Sequence, residues 1–218
     1  VAQVLINEVE EVDGLVLFPT SLDEADNLRV TEIYQERGNP IIRVNPPVLN
    51  ATENFVSPDY FQSGQEIGKL FLAENRTRVA FLMAGPIAHS VSAQLRLAGL
   101  NSVLIDARRA NGCGARVISV PDITHENGLV AVRALFAHGE DPPDAIFAFG
   151  DLIAAGACDA YEEAGLKIPR DVSIIGGTGL VHVHARNLTT TLHPYDEVGE
   201  QIVRMALASK QAKGAAQP

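Results

Sequence analysis

The stretch DAIFAFGDLIAAGACDAYEEAGLKIPRDVSIIGG, residues 144–177, decides the fold. Its first apolar run ends on Gly150-Asp151, a segment with helical spacing follows, and a second apolar run from Val172 to Ile175 stops on Gly176-Gly177. Two short apolar runs around one helix, each punctuated by glycine, make a βαβ unit. Ligands of parallel sheets bind outside the carboxyl ends of the strands, so both glycine-marked corners are places to look for a site.

The same alternation extends outward in both directions. Towards the amino end, Val12–Phe18 (VDGLVLF) reads as a strand closed by Pro19, and residues 23–37 as a helix stopped by Gly38. Strands then follow at Ile41–Val44, Val79–Met83 and Ala115–Val120, with helices at 60–73, 90–105 and 124–138. Towards the carboxyl end come a strand at Thr189–Leu192 and a helix from Tyr195 to about Ala208. Strands alternating with helices of this length predict an α/β fold, a parallel sheet covered on both faces. Val1–Val9 reads as the end of a helix with no strand before it, so the chain is expected to lack a first βα unit. The tail KQAKGAAQP, residues 210–218, is expected to be disordered.

With 218 residues, 46% hydrophobic and 20% charged, the chain can bury one large core or two smaller lobes. A net charge of −10 argues against nucleic-acid binding by these residues, because phosphate neutralisation needs clustered Lys and Arg. No window approaches the roughly 18 uninterrupted apolar residues of a spanning helix, and no basic segment followed by an apolar run marks export. No membrane partner is expected. Cys113 and Cys158 are the only cysteines, too few for a disulfide framework or a thiolate metal site, and are read as unpaired thiols in a reducing compartment.

Enzyme and cofactor signatures are missing. Gly176-Gly177 and Gly112…Gly114 lack the G-x-G-x-x-G spacing, no G-x-x-x-x-G-K-[ST] occurs, and no G-x-S-x-G presents a nucleophile. No catalytic residue and no cofactor is therefore assigned. Among the six histidines, His182 and His184 would share one face of a strand, but with no third ligand in view they are read as loop histidines rather than a metal site. His138 and His125 carry no signal. His89 and His193 sit near strand ends, where they could line a cleft or lie on the surface. The segment SVSAQLRLAGL, residues 90–100, follows a strand broken at Gly85-Pro86 and puts Ser92 and Arg96 four apart on one helical face, aimed at the strand ends.

Four segments in order resemble the effector-binding core of lactose-repressor and galactose-repressor (LacI/GalR) type transcription regulators, built on the type I periplasmic-binding-protein fold. They are VDGLVLFP (12–19), VSPDYFQSGQEIGKLFL (56–72), RVAFLMAGPIAHSVSAQLRLAGL (78–100), and the opening block continued through LTTTLHPYDEVGEQIVRMAL (188–207). The most specific piece is GDLIAAGACDAYEEAGLKIPRDVSIIG followed by LTTTLHPY. The resemblance implies two similar α/β lobes with the effector held between them. The first lobe would be 1–75 plus 193–209 and the second 76–192, with the family's first βα unit and last strand absent.

It also implies site residues. Asp59 matches a carboxylate at a strand-to-helix corner of the first lobe. Ser92 and Arg96 match effector contacts in the second, Arg96 as the arginine that grips the ligand. Ile123 falls where relatives stack an aromatic on the ligand, and Tyr195 matches an aromatic cleft residue near the hinge. Two corners depart from the family. Gly150-Asp151 stands where Asn-Asp is usual, and Gly176-Gly177-Thr178-Gly179 where an aromatic and two aspartates follow the glycine.

A threonine hydroxyl accepts sugar hydroxyls less well than a carboxylate, so the expected effector is other than a simple neutral monosaccharide, such as a sugar acid or phosphorylated sugar that pairs with Arg96. The implied function is the effector-sensing module of a cytoplasmic repressor, a homodimer that contacts operator DNA through an N-terminal helix-turn-helix absent from these residues. On the same fold, the alternative is a solute-binding protein serving a transporter; a helix-turn-helix upstream in the gene would mark the first and a signal peptide the second.

Overall fold

In this computed structural model the described residues are 12–18, 24–45, 54–86, 90–107, 114–137, 141–179 and 188–215. The expectations for Val1–Val9, His89, Gly112, Cys113, His138, His182 and His184 lie outside them. The chain divides into two compact units, Val1–Pro58 with Pro194–Pro218, and Asp59–His193. Each is α/β with a wholly parallel sheet.

The first unit contains β1 (Leu15–Leu17), α1 (Glu24–Glu36), β2 (Ile41–Val44), β3 (Asn54–Val56) and α6 (Tyr195–Ala215). Its strands run in the order β1-β2-β3, with Leu17 opposite Arg43 and Arg43 opposite Phe55. Leu17, Val30, Tyr34 and Ile41 form its core, with Leu15 and Ile33 packed against them. Gly38, two residues past the end of α1, takes φ of 67°, the left-handed stop that a side chain would resist. β3 has no counterpart in the sequence reading, because three residues at a sheet edge with the first two exposed leave neither an apolar run nor an alternation. α6 continues to Ala215, past the expected end near Ala208 and into the tail expected to be disordered. Lys, Gln and Ala are good helix formers, and no Pro occurs before Pro218 to end the run.

The second unit contains α2 (Tyr60–Ala73), β4 (Val79–Ala84), α3 (Val91–Ala107), β5 (Arg116–Val120), α4 (His125–Ala137), β6 (Ala145–Ala148), α5 (Asp151–Glu163), β7 (Ser173–Gly176) and β8 (Thr189–Thr190). Strand order is β5-β4-β6-β7-β8. Alternation along β4 divides the core into two layers: Ala80 and Leu82 pack with Ile146, Ala148 and the α4 and α5 side chains, whereas Val79, Phe81 and Met83 pack with Phe147, α2 and α3. Both faces being covered, β4, β6 and β7 read as continuous apolar runs, which is why they were legible.

Glycines set the helix spacing on each face. A β-carbon at Gly64 would overlap the carbonyl oxygen of Arg96, and one at Gly99 that of Phe61, so α2 and α3 cross backbone to backbone. Gly128 and Gly156 do the same for α4 and α5. The tight α2–α3 contact also fixes membership. The sequence reading ended the first lobe at residue 75 and returned to it at 193, whereas α2 and His193 fold with the second unit.

Asp144 ties the amino ends of β4 and β6 together, accepting from the Thr77 and Arg78 backbone N–H groups and the Thr77 hydroxyl at 2.8–3.1 Å. Burial pushes this carboxyl up, but the four donated hydrogen bonds and nearby Arg78 outweigh it and hold it below the ordinary Asp range.

Candidate ligand site at the strand ends of the second unit

β4 and β6 are neighbours, yet the chain leaves β4 for β5 on one side and returns from β5 to β6 on the other. The helices that follow them, α3 and α5, cover opposite faces of the sheet. A crevice at the carboxyl ends is the geometric consequence, and ligands of open α/β sheets bind at such switch points.

Arg96, one turn into α3, is 2% exposed and reaches those strand ends. Its Nη1 donates to the Phe149 carbonyl at 3.3 Å, and its Nη2 lies 3.1 Å from His193 Nε2. The guanidinium carbon sits 5.0 Å from the Tyr60 ring centroid, 5.2 Å from Phe149 and 5.9 Å from Phe147. Three aromatic faces within about 6 Å and two acceptors hold a buried cation in one orientation. The approach is close because residue 177 is glycine: a β-carbon there would stand 2.8 Å from Arg96 Nη1. Ser90 caps the start of α3, its hydroxyl accepting from the Ala93 N–H at 3.2 Å and lying 3.2 Å from the Ser92 hydroxyl.

A guanidinium only donates, so the Arg96 contact is a hydrogen bond only in the tautomer that carries the imidazole proton on Nδ1 and leaves a lone pair on Nε2. The same Nε2 lies 3.2 Å from the Gly177 carbonyl oxygen, an acceptor that this tautomer cannot serve. Burial and the Arg96 charge push the His193 pKa down, against the opposing pulls of the Gly177 carbonyl and Asp151, and so keep the ring neutral near pH 7. Tyr60 and His193 meet edge to face, with centroids 5.9 Å apart.

Asp151, fully buried at the start of α5, is used internally. Its Oδ1 accepts from the Thr190 hydroxyl at 2.7 Å and the Thr178 N–H at 3.0 Å, while its own N–H donates to Thr178 Oγ1 at 3.1 Å. Thr190 Oγ1 in turn accepts from the Gly179 N–H at 3.1 Å. Asp151 and Thr178 thus lock the ends of β6, β7 and β8 to one another, and Gly176 leaves room for the carboxylate, which any β-carbon at that position would overlap.

The remaining expected residues fall in different places. Ile123, after β5, lies against Gly150, where a β-carbon would stand 2.6 Å from its Cγ2. The missing side chain at 150 and the isoleucine at 123 therefore complement each other. Asp59 caps α2 through Oδ1, which accepts from the Gln62 N–H at 2.8 Å. Tyr195 opens α6 in the first unit and is 67% exposed. Arg96, Ser92, Ile123, Gly150, Asp151 and Thr178 share the strand ends of the second unit. The sequence reading assigned no site role to Tyr60 or Phe149 and left His193 between cleft and surface. His193 is 97 residues from Arg96, and its position near a strand end was the only available signal. Among the described residues no group of three or more His, Cys, Asp or Glu side chains could hold a metal ion, and no helix is long and apolar enough to cross a membrane.

Residues 69–218 match the periplasmic binding protein-like domain family. The chain is similar to the HTH-type transcriptional repressor PurR of Klebsiella pneumoniae (31% identity, 91% of this chain and 57% of that protein). It is also similar to the HTH-type transcriptional regulator DegA of Bacillus subtilis (27% identity, 94% and 59%). It thus spans less than two thirds of the length of these curated relatives. Among solved structures, a LacI family transcriptional regulator from Enterococcus faecium with bound ribose superimposes with a TM-score of 0.78 at 21% identity, covering 96% of this chain and 76% of that one. This places the two parallel-sheet units in a known architecture: the chain belongs to the periplasmic binding protein-like domain family.

Proposed function

We propose that the chain is the effector-sensing core of a DNA-binding transcriptional repressor of the LacI/GalR type, taking a small sugar-like or anionic metabolite at the carboxyl ends of the second unit's strands. The observation that carries this reading is Arg96, a buried guanidinium fixed by Tyr60, Phe149 and His193 at the switch point of an open parallel sheet. Such a fork suits a carboxylate, a phosphate or a pair of sugar hydroxyls. The two curated relatives are named as regulators, which favours this reading over a transport carrier.

Ser92, Ile123 and Gly150 would shape the ligand's surroundings, and Asp151 and Thr178 would act by fixing the floor. Asp59 and Tyr195 are proposed as further effector contacts on the resemblance alone. Operator DNA would be read by a helix-turn-helix of the kind the relatives' names carry, since a net charge of −10 suits these residues to sensing rather than phosphate binding. The working unit would be a cytoplasmic homodimer, and no catalytic step is proposed. Effector would regulate by binding two conformations unequally.

A thermal-shift screen of sugars, sugar acids and sugar phosphates tests the reading. A true effector at 100 times its dissociation constant should add about 2.7 kcal/mol of stability. A panel that leaves the unfolding temperature unchanged throughout would contradict it.

A further inference from the structure

His193 Nε2 stands between two groups that make opposite demands on it: Arg96 Nη2 at 3.1 Å can only donate, and the Gly177 carbonyl oxygen at 3.2 Å can only accept. One nitrogen cannot satisfy both at once. We infer that Arg96 and His193 together form a proton-coupled receptor for an anionic group of the ligand, a carboxylate or a phosphate, with His193 taking up one proton as the anion docks. The inference rests on the reading of these strand ends as the effector site, and it names the ligand's chemical class.

The proton balance is simple. In the ligand-free protein the ring carries its proton on Nδ1 and accepts at Nε2 from Arg96. A solvent proton added at Nε2 creates an N–H that donates to the Gly177 carbonyl and releases the Arg96 Nη2 N–H to the anion. No bond between heavy atoms changes.

The charged and titratable groups facing His193 agree with this. Burial first and the Arg96 charge from α3 second oppose a positive charge on the ring, which keeps it neutral without ligand; Asp151 at the start of α5 favours that charge, and Tyr60 from α2 contributes an uncharged ring. An anion seated on Arg96 offsets the part of the opposition that comes from its charge, so anion binding and protonation of His193 help each other, as linkage requires. A neutral sugar removes none of it. His193 is also the last residue of the second unit before Pro194, while Tyr60, which meets both Arg96 and the His193 ring, lies two residues past Pro58. The first and last stretches of the second unit thus each place a ring against this guanidinium.

The test follows the His193 ring nitrogens by NMR from pH 5.5 to 8.5 in the full 218-residue chain. Sodium gluconate supplies a carboxylate, sodium sulfate a tetrahedral dianion that does not titrate in this range, and glucose a neutral control, all at matched ionic strength. Either anion should move the His193 midpoint to higher pH, and glucose should not. Gluconate should bind about fivefold or more tightly at pH 6 than at pH 8, within the limit of about tenfold per pH unit set by one proton. His193→Gln should flatten that dependence, whatever it does to the affinity itself. Anion-dependent shifts of the Gly150 and Thr178 amides with an unmoved His193 midpoint would overturn the coupling and leave the effector site standing. Silence of those amides to all three probes would overturn the anion class and count against the effector site itself.

Discussion

The Asp151 carboxylate accepts the Thr190 hydroxyl at 2.7 Å, joining the first residue of α5 to the edge strand β8 across 39 positions of sequence. With the Thr178 N–H on the same oxygen, it fastens three strand ends under the proposed ligand position. Asp151→Ala would strand two half-buried donors and should cost about 1–3 kcal/mol in urea unfolding. Asp151→Asn keeps an acceptor and should cost clearly less. Equal losses for the two substitutions would mean that the hydrogen bonds at this corner are not what matters.

Glycine substitutions should split by helix. In α2 and α3, Gly64→Ala and Gly99→Ala drive a methyl group into opposing backbone, and each should destabilise by about 3 kcal/mol or more, overriding the gain of about 1 kcal/mol that alanine offers a helix. In α6, nothing among the described residues lies within 4 Å of a β-carbon at Gly199, so Gly199→Ala should stabilise by about 0.5–1 kcal/mol. Denaturant titration of the three variants checks both signs.

Much of this architecture was legible because buried parallel strands write themselves as uninterrupted apolar runs: the expected 41–44 strand and 60–73 helix match β2 and α2 residue for residue. β3 escaped notice for lack of any run, and nothing in the pattern shows that α2 packs with α3, a contact between Gly64 and Gly99 across 35 positions of sequence. At the site, the spacing of Ser92 and Arg96 pointed to the strand ends, and Arg96 reaches the Phe149 carbonyl and His193 there. What spacing could not reveal is who meets whom across the fold: Tyr60 and His193 converge on Arg96 from opposite ends of the second unit. Similarly, a sequence match marks Asp151 and Thr178 as ligand-facing but carries no trace of the hydrogen bonds they share.

The Ile123 and Gly150 pair predicts a non-additive result. Gly150→Asn alone should be destabilised by about 1–3 kcal/mol, since its β-carbon would meet Ile123 Cγ2 at 2.6 Å. Combined with Ile123→Ala, most of that loss should return, a coupling visible in a double-mutant cycle of unfolding free energies. Additive losses would show that the two residues do not share the space.

Acid should weaken the protein through Asp144. Its folded pKa is depressed relative to the unfolded chain, so the stability it contributes is present above the ordinary Asp range near pH 4 and is lost as pH falls through the lower folded value. Asp144→Asn should be less stable at pH 7 and lose less between pH 5 and pH 3 than the unsubstituted protein. Parallel stability curves for the two would rule this out.

Whether Arg96 is the ligand's anchor is decided by isothermal titration of the unsubstituted chain and Arg96→Lys, both first checked for cooperative unfolding, against whichever sugar, sugar acid or sugar phosphate stabilises the protein. Lysine keeps the charge but not the planar fork, so the affinity should fall about ten- to a hundredfold. An unchanged dissociation constant in Arg96→Lys would contradict a ligand site built on that guanidinium.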